Sequence, residues 1–429
     1  MKKIGLFGIL CLLLSLSLLM GGCRKTNPPP GSATYREFKD RVIGLQFYKE
    51  KAEGENPQLT INVADKQLAR RFQELLGPLP RTEDPPEPWS GQKGYLAFRY
   101  MEENEIKASP FYPFWYGVGL PSYIKLEDGW HLVPGEFMEK LSPLEEYTEA
   151  SSDIEPEDVA FLKQYGWTIF YKIKSYYGRL PESFIHESGE YPVSLYYAYN
   201  NELCRDIGLD ISPYLGKHVT VNLYKLEEPL PAFLAPRQQA SRAVVVKDGS
   251  RIVGAWLDAG RPYGFACSLK GRTLEEITGK PFGEWVEQYV NHQNPQEKLL
   301  SRMEPERVIQ AYFEAIDRKD PKTAHACETR RRLTQYLFEG MDNNRLYNYS
   351  YSVNDSEEIS NILRARVIKI EPHRQENWDK DTRTYRVEVD LNVKRVINYE
   401  SGRHIWYMTL RRESPNLGWR IDQIERGSV

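Results

Sequence analysis

Pro305-Glu306-Arg307-Val308-Ile309-Gln310-Ala311-Tyr312-Phe313-Glu314-Ala315-Ile316 decides the fold of the last segment of this chain. Proline fits the first turn of a helix, where its missing N–H is not needed. Val308, Ile309, Tyr312, Phe313 and Ile316 then recur at helical spacing on one face. Asp320-Pro321 starts a second helix and Thr329 to Phe338 a third. After them the period changes from helical to two. Leu363 to Ile370, Tyr385 to Val393, His404 to Arg411 and Trp419 to Ile424 read as strands, with Val387, Val389 and Leu391 on one side of theirs. Helices followed by a run of long strands predict an α+β domain over 302–427, a helix layer on a curved antiparallel sheet.

Working outward, the chain reads as two further α+β segments. In 152–292, Pro156 opens a helix with Glu157 and Asp158 in its first turn, where the helix dipole favours acids, and Gly166 can stop it. Ala243-Val244-Val245-Val246 turns at Asp248-Gly249 into Ile252 to Asp258, a hairpin. In 35–148, Ile43, Leu45, Phe47 and Leu59, Ile61, Val63 alternate as strands do. Asp65 caps a helix carrying Leu68, Phe72, Leu75 and Leu76, which Gly77-Pro78 ends. Tyr95 to Tyr100, Phe114 to Val118 and Tyr123 to Leu126 continue the strands, with Asp128-Gly129 turning before Trp130. Glu297 to Ser301 is read as a short polar junction between the last two segments.

The start of the chain carries a different message. Met1-Lys2-Lys3 precedes an uncharged apolar run from Ile4 to Met20, followed at once by Gly21-Gly22-Cys23. This is similar to a secretory signal, residues 1–22, ending in the bacterial lipobox, with Leu19 or Met20 where that motif has a leucine. The resemblance implies a diacylglyceryl group on Cys23 and attachment to the outer, extracytoplasmic face of the cell membrane. The run is shorter than the roughly 20 residues that cross hydrocarbon, which argues against a membrane-spanning helix. Residues 23–34, with Pro28-Pro29-Pro30, read as a tether.

Two further resemblances follow from quoted residues. Phe161 to Trp167, Leu180-Pro181-Glu182-Ser183-Phe184, Tyr199 to Asp210, Tyr214-Leu215-Gly216-Lys217 and the 243–258 hairpin resemble an uncharacterised domain family of Gram-positive surface lipoproteins. Glu306 to Phe313, Lys319-Asp320 and Gly418-Trp419-Arg420-Ile421 resemble a second such family, assigned to the nuclear-transport-factor-2-like cone. Packing and turn residues make up both sets, so they imply fold, location and a Gram-positive host rather than a reaction.

Charge excludes one large class of partner. With 57 basic and 60 acidic residues the net charge is -3, and no basic block is long enough to hold a polynucleotide. The sequence contains no H-E-x-x-H, paired C-x-x-C, G-x-S-x-G, phosphate loop or dinucleotide fingerprint, so neither a metal nor another cofactor is expected. Of five cysteines, Cys11 leaves with the signal and Cys23 takes the lipid. Cys204, Cys267 and Cys327 remain, either as three buried thiols or with a Cys204 to Cys267 disulfide.

Three groups of residues are candidate sites. Phe111-Tyr112-Pro113-Phe114-Trp115-Tyr116, continued by Tyr123, offers Tyr112, Phe114, Trp115 and Tyr116 as an aromatic surface for a cell-wall glycan or an envelope protein. Tyr385, Asp390, His404 and Tyr407 would form a pocket in the last domain if all pointed inward, serving a small-ligand carrier or an enzyme; strand alternation sends Asp390 the other way if Val389 and Leu391 face the core. The acids Glu145, Glu146, Glu149, Asp153, Glu155, Glu157 and Asp158 lack the glycine turn and alternating oxygens of a calcium loop, and are expected as a solvated linker with a capped helix. The expected function is a non-catalytic binding, scaffolding or sensing lipoprotein of the envelope.

Overall fold

The computed structural model describes residues 34–51, 55–77, 79–85, 89–117, 119–234, 242–258, 265–340, 359–397 and 399–427. Cys23, the signal-like residues, Pro78 and Val118 lie outside them. The fold is α+β, in two compact units, Met1–Ser152 and Asp153–Val429.

The first unit contains α1 (Tyr35–Phe38), β1 (Val42–Lys49), β2 (Gln58–Val63), α2 (Lys66–Leu76), β3 (Gln92–Glu102), β4 (Glu105–Ala108), β5 (Tyr112–Tyr116), β6 (Ser122–Leu126), β7 (Gly129–Val133) and α3 (Gly135–Leu141). Its antiparallel sheet has the order β2-β1-β3-β5-β6-β7, with β4 paired to β3. Asp65 caps α2 as expected, its carboxylate accepting from Leu68 N–H at 2.8 Å. Leu68, Ala69, Phe72 and Leu76 are buried, and Phe137 of α3 meets both Phe72 and Phe114 at 5.9 Å between ring centroids. Each large side chain so buried stabilises by about 1.5–3 kcal/mol. The β1 alternation is interrupted by a register shift between Val42 and Gly44. An extra residue there swaps sides, so Val42 joins Leu45 and Phe47 in the core while Ile43 is only half-buried.

The second unit begins with α4 (Pro156–Lys163), β8 (Ile169–Arg179), α5 (Val193–Asp206), β9 (His218–Leu226), β10 (Arg242–Asp248) and β11 (Arg251–Asp258). Strands β11-β10-β9-β8 form one sheet. Tyr224, Ala243, Val245, Ala255 and Leu257 pack with Leu162 of α4 on one face. On the other, Trp256 meets Tyr196 of α5 at 6.1 Å. Helices on both faces explain why Ala243 to Val246 is apolar without alternation.

Three short helices follow, α6 (Leu274–Thr278), α7 (Phe282–Glu287) and α8 (Pro295–Leu300). Then come α9 (Pro305–Asp317), α10 (Pro321–Ala326) and α11 (Arg330–Gly340) before β12 (Ile362–His373), β13 (Thr382–Val393), β14 (Gly402–Arg412) and β15 (Trp419–Arg426). The last four make a second sheet in sequence order. Val308, Ile309, Phe313 and Ile316 of α9 bury against Val387, Val389, Leu391, Trp406 and Met408, with Phe313 and Trp406 rings 5.1 Å apart.

The expected polar junction is partly interior: Glu297 and Leu300 are buried while Lys298 and Leu299 are exposed. Glu297 lies in α8, capped by Asn294, and is 2% exposed. Arg420 donates to it at 2.9 Å, and Arg330 pairs with its second oxygen. A buried carboxylate needs such partners, and they lie far along the chain, where no local pattern reveals them.

Candidate functional site

An antiparallel sheet with helices on one face ordinarily turns polar residues outward. The sheet of the first unit turns aromatic rings outward among its polar residues. Register places Lys93, Trp115, Tyr123 and Leu132 opposite one another across β3, β5, β6 and β7. Tyr48, Tyr95 and Pro113 form a second row, and Lys125 stands opposite Trp130. All lie on the face away from α2 and α3.

The rings on this face touch. Trp115 lies 5.0 Å from Trp130 and 5.8 Å from Trp89, which also meets Tyr123 at 5.7 Å. Phe111, 46% exposed, is 4.8 Å from Tyr48. Lys93 Nζ stands 4.0 Å above the Trp115 ring and Lys125 Nζ 5.6 Å from that of Trp130. Beneath it, His131 fixes the β6–β7 turn. Its Nε2 lies 2.8 Å from Asp128 Oδ1, and its Nδ1 3.0 Å from the Leu79 carbonyl. The hydrogen bond from His131 is the main reason the Asp128 carboxyl sits below its usual range.

Of the four aromatic residues singled out from sequence, Trp115 faces outward. Tyr112 and Phe114 point into the core, and Tyr116 is half-buried 5.3 Å from Phe47. Alternation along one strand forbids all four from sharing a face. Burial, then the 2.7 Å hydrogen bond to Glu127, raises the Tyr112 hydroxyl; burial pushes that of Tyr116 up to about 12. Trp89, Trp130, Tyr95 and Lys93 were not anticipated in this surface. Lys93, Tyr95 and Trp130 lie on strands whose register the sequence leaves open, and Trp89 lies in the loop before β3.

The proposed pocket residues are not brought together. Tyr385 is buried on the core side of β13, where burial pushes its hydroxyl up to about 12. His404 lies opposite Val389 on that same side, its Nε2 2.8 Å from the Glu400 carbonyl. Asp390 and Tyr407 point the other way, Asp390 to Arg364 at 2.8 Å and Tyr407 against His373 at 4.5 Å.

The acids near residue 155 also differ from expectation. Asp158 is fully buried rather than solvated and accepts from Tyr224 at 2.6 Å and Asn222 at 2.9 Å, with Lys247 3.0 Å away. Glu155 lies 2.7 Å from the same Tyr224 hydroxyl and accepts from Lys172 at 3.3 Å. Strand residues far along the chain thus satisfy the acids and hold α4 on the sheet. Among the described residues no group of three or more His, Cys, Asp or Glu is placed to hold a metal ion.

Cys204, Cys267 and Cys327 are free and buried, and burial pushes each thiol up to about 12. The Cys204 to Cys267 disulfide is therefore not formed. Cys204 lies beside Gly254 on the α5 face of the sheet, whereas Cys267 belongs to the cluster on the α4 face. The sheet stands between them.

Two segments carry recognisable domains. Residues 161–257 match the model of a domain of unknown function, DUF4830. Residues 306–424 match a second, DUF4829. Both fall where the sequence resembles uncharacterised families. No curated protein matches the chain. A crystal structure of a cystatin-like protein from Ruminococcus gnavus ATCC 29149 is similar at 15% identity over 49% of this chain and 62% of that one, with a TM-score of 0.21. The match thus spans about three fifths of that protein's length. So slight a superposition carries no argument about fold or function.

Proposed function

We propose that this chain is a lipid-anchored binding protein on the outer face of a bacterial membrane, acting without catalysis, and that a cell-wall glycan is its ligand. The observation that carries the reading is the outward aromatic face around Trp115, Trp89 and Tyr123, backed by the buried Trp130. Flat amphipathic rings stack on sugar rings while their polar atoms hydrogen-bond at the rim. A sheet face that spends its solvent-facing positions on aromatics is a binding surface by the same argument. The signal-like start and Cys23 support export and anchoring, and the resemblance of both later segments to Gram-positive lipoprotein domains supports that host. Neither domain model names an activity.

Two measurements test this. Replacing Cys23→Ala should release the protein from membranes into the medium; persistence of the unchanged chain in cytosol, with residues 1–22 still attached, would end the localisation. Purified protein should sediment with cell-wall sacculi, and Trp115→Ala with Tyr123→Ala should lower the bound fraction about tenfold, the worth of one lost stacking pair. Equal retention of both forms removes the glycan, and an envelope protein becomes the partner to seek.

A further inference from the structure

The aromatic face is also a cationic one. Its strand positions carry Lys93, Arg99 and Lys125. A carboxylate also borders it: Glu50 lies just beyond the end of β1, 3.5 Å from the Tyr95 hydroxyl. Each lysine stands over an indole, Lys93 over Trp115 and Lys125 over Trp130. This placement discriminates between ligands. A neutral sugar reaching the Trp115 indole must push the Lys93 ammonium off the ring and forfeit the cation–π attraction, while the Trp130 indole beneath Lys125 is itself buried. A sugar bearing a carboxylate meets the ammonium above the ring and gains a charge-assisted hydrogen bond there. Tyr123, between the two lysine positions, supplies a ring on which the adjoining sugar can stack.

Resting on the proposed function, we infer that the ligand is an acidic glycan: the carboxylated glycan strand of the cell wall, its acids held by Lys93 and Lys125 and its rings stacked about Tyr123 and Trp115. The chain discriminates by charge as well as by ring shape. Because both lysines lie near the surface, their pull weakens as salt rises.

The test is tryptophan-fluorescence titration of the native protein with two probes of equal length. One is the neutral N-acetylglucosamine hexamer; the other is a hyaluronan hexasaccharide, in which the same amino sugar alternates with glucuronate. The acidic probe is expected to bind about tenfold more tightly at low salt, the advantage of one charge-assisted contact, and to lose that margin as salt is raised. Lys93→Gln with Lys125→Gln should weaken the acidic probe and strengthen the neutral one, which no longer has an ammonium to displace, until the two affinities meet, with an unaltered near-ultraviolet spectrum showing an intact fold. Equal affinity for the two probes, both weakened by Trp115→Ala, overturns the acidic preference and keeps the glycan reading. Binding of neither probe overturns both.

Discussion

Replacing Glu297→Gln tests the interior of the second unit. This side chain, 2% exposed, neutralises two arginines that are themselves buried. Arg420 also donates to the carbonyls of Ala326 at 3.0 Å and Trp419 at 2.9 Å, and Arg330 has a further carboxylate, Glu413, at 3.4 Å. Burial alone would raise the Glu297 carboxyl, but the two guanidiniums hold it below its ordinary value. Glutamine keeps the shape and one acceptor but removes the charge, leaving two guanidiniums to share Glu413. Breaking a buried pair costs about 3–5 kcal/mol, against about 0–1 for a surface pair. We expect about 4 kcal/mol, read in urea as a midpoint lowered by about 1.3 M if the slope is about 3 kcal/mol/M. Adding Arg420→Met should recover part of the loss, since it removes one stranded charge. Because the carboxyl is depressed in the fold, its contribution is present above the ordinary carboxylate range and lost as pH falls through the folded value. The Gln variant should be less sensitive to acid. A midpoint shift under about 0.3 M would refute the network's role, since that loss is what a surface pair gives.

Other outcomes follow from single features. His186 is buried, and burial followed by the nearby Arg330 charge lowers its imidazole from 6.5 to about 4. Unfolding then takes up a proton between those values, so stability should rise by about 3 kcal/mol as pH climbs through that window. His186→Leu should flatten this slope, and the same slope in both proteins would disprove the assignment. A Cβ on Gly283 would overlap the Glu413 carbonyl oxygen. Gly283→Ala should therefore destabilise by about 1–3 kcal/mol in thermal unfolding, although alanine is the better helix former, and a raised midpoint would contradict the packing. Mass labelling without reductant should find Cys204, Cys267 and Cys327 unreactive in the native protein and all three free in denaturant; two missing thiols would restore the disulfide.

Elements were legible wherever a local period sufficed. The Asp65 cap, the Asp248-Gly249 hairpin, the proline starts of α4 and α9 and the helices-then-strands order each depend on residues a few positions apart. The β1 bulge was not legible, because one extra residue reverses the alternation without leaving a mark in composition. Of the candidate site, Phe111, Trp115 and Tyr123 were legible, and Trp89, Lys93, Tyr95 and Trp130 were not. Tyr112, Phe114 and Tyr116 looked equivalent to Trp115 in sequence, yet strand geometry turns them to the other side.

The sequence by itself determined fold class, element order and which strand positions carry aromatic rings, because helical and strand periods are written in neighbouring residues. Tertiary structure alone decided that Lys93, Trp115, Tyr123 and Leu132 share a row, that Glu297 is interior, and that Cys204 and Cys267 lie on opposite faces of a sheet. Those facts depend on register and on packing between elements distant along the chain, where the free energy of burying a charge or a ring is set by partners no local pattern names.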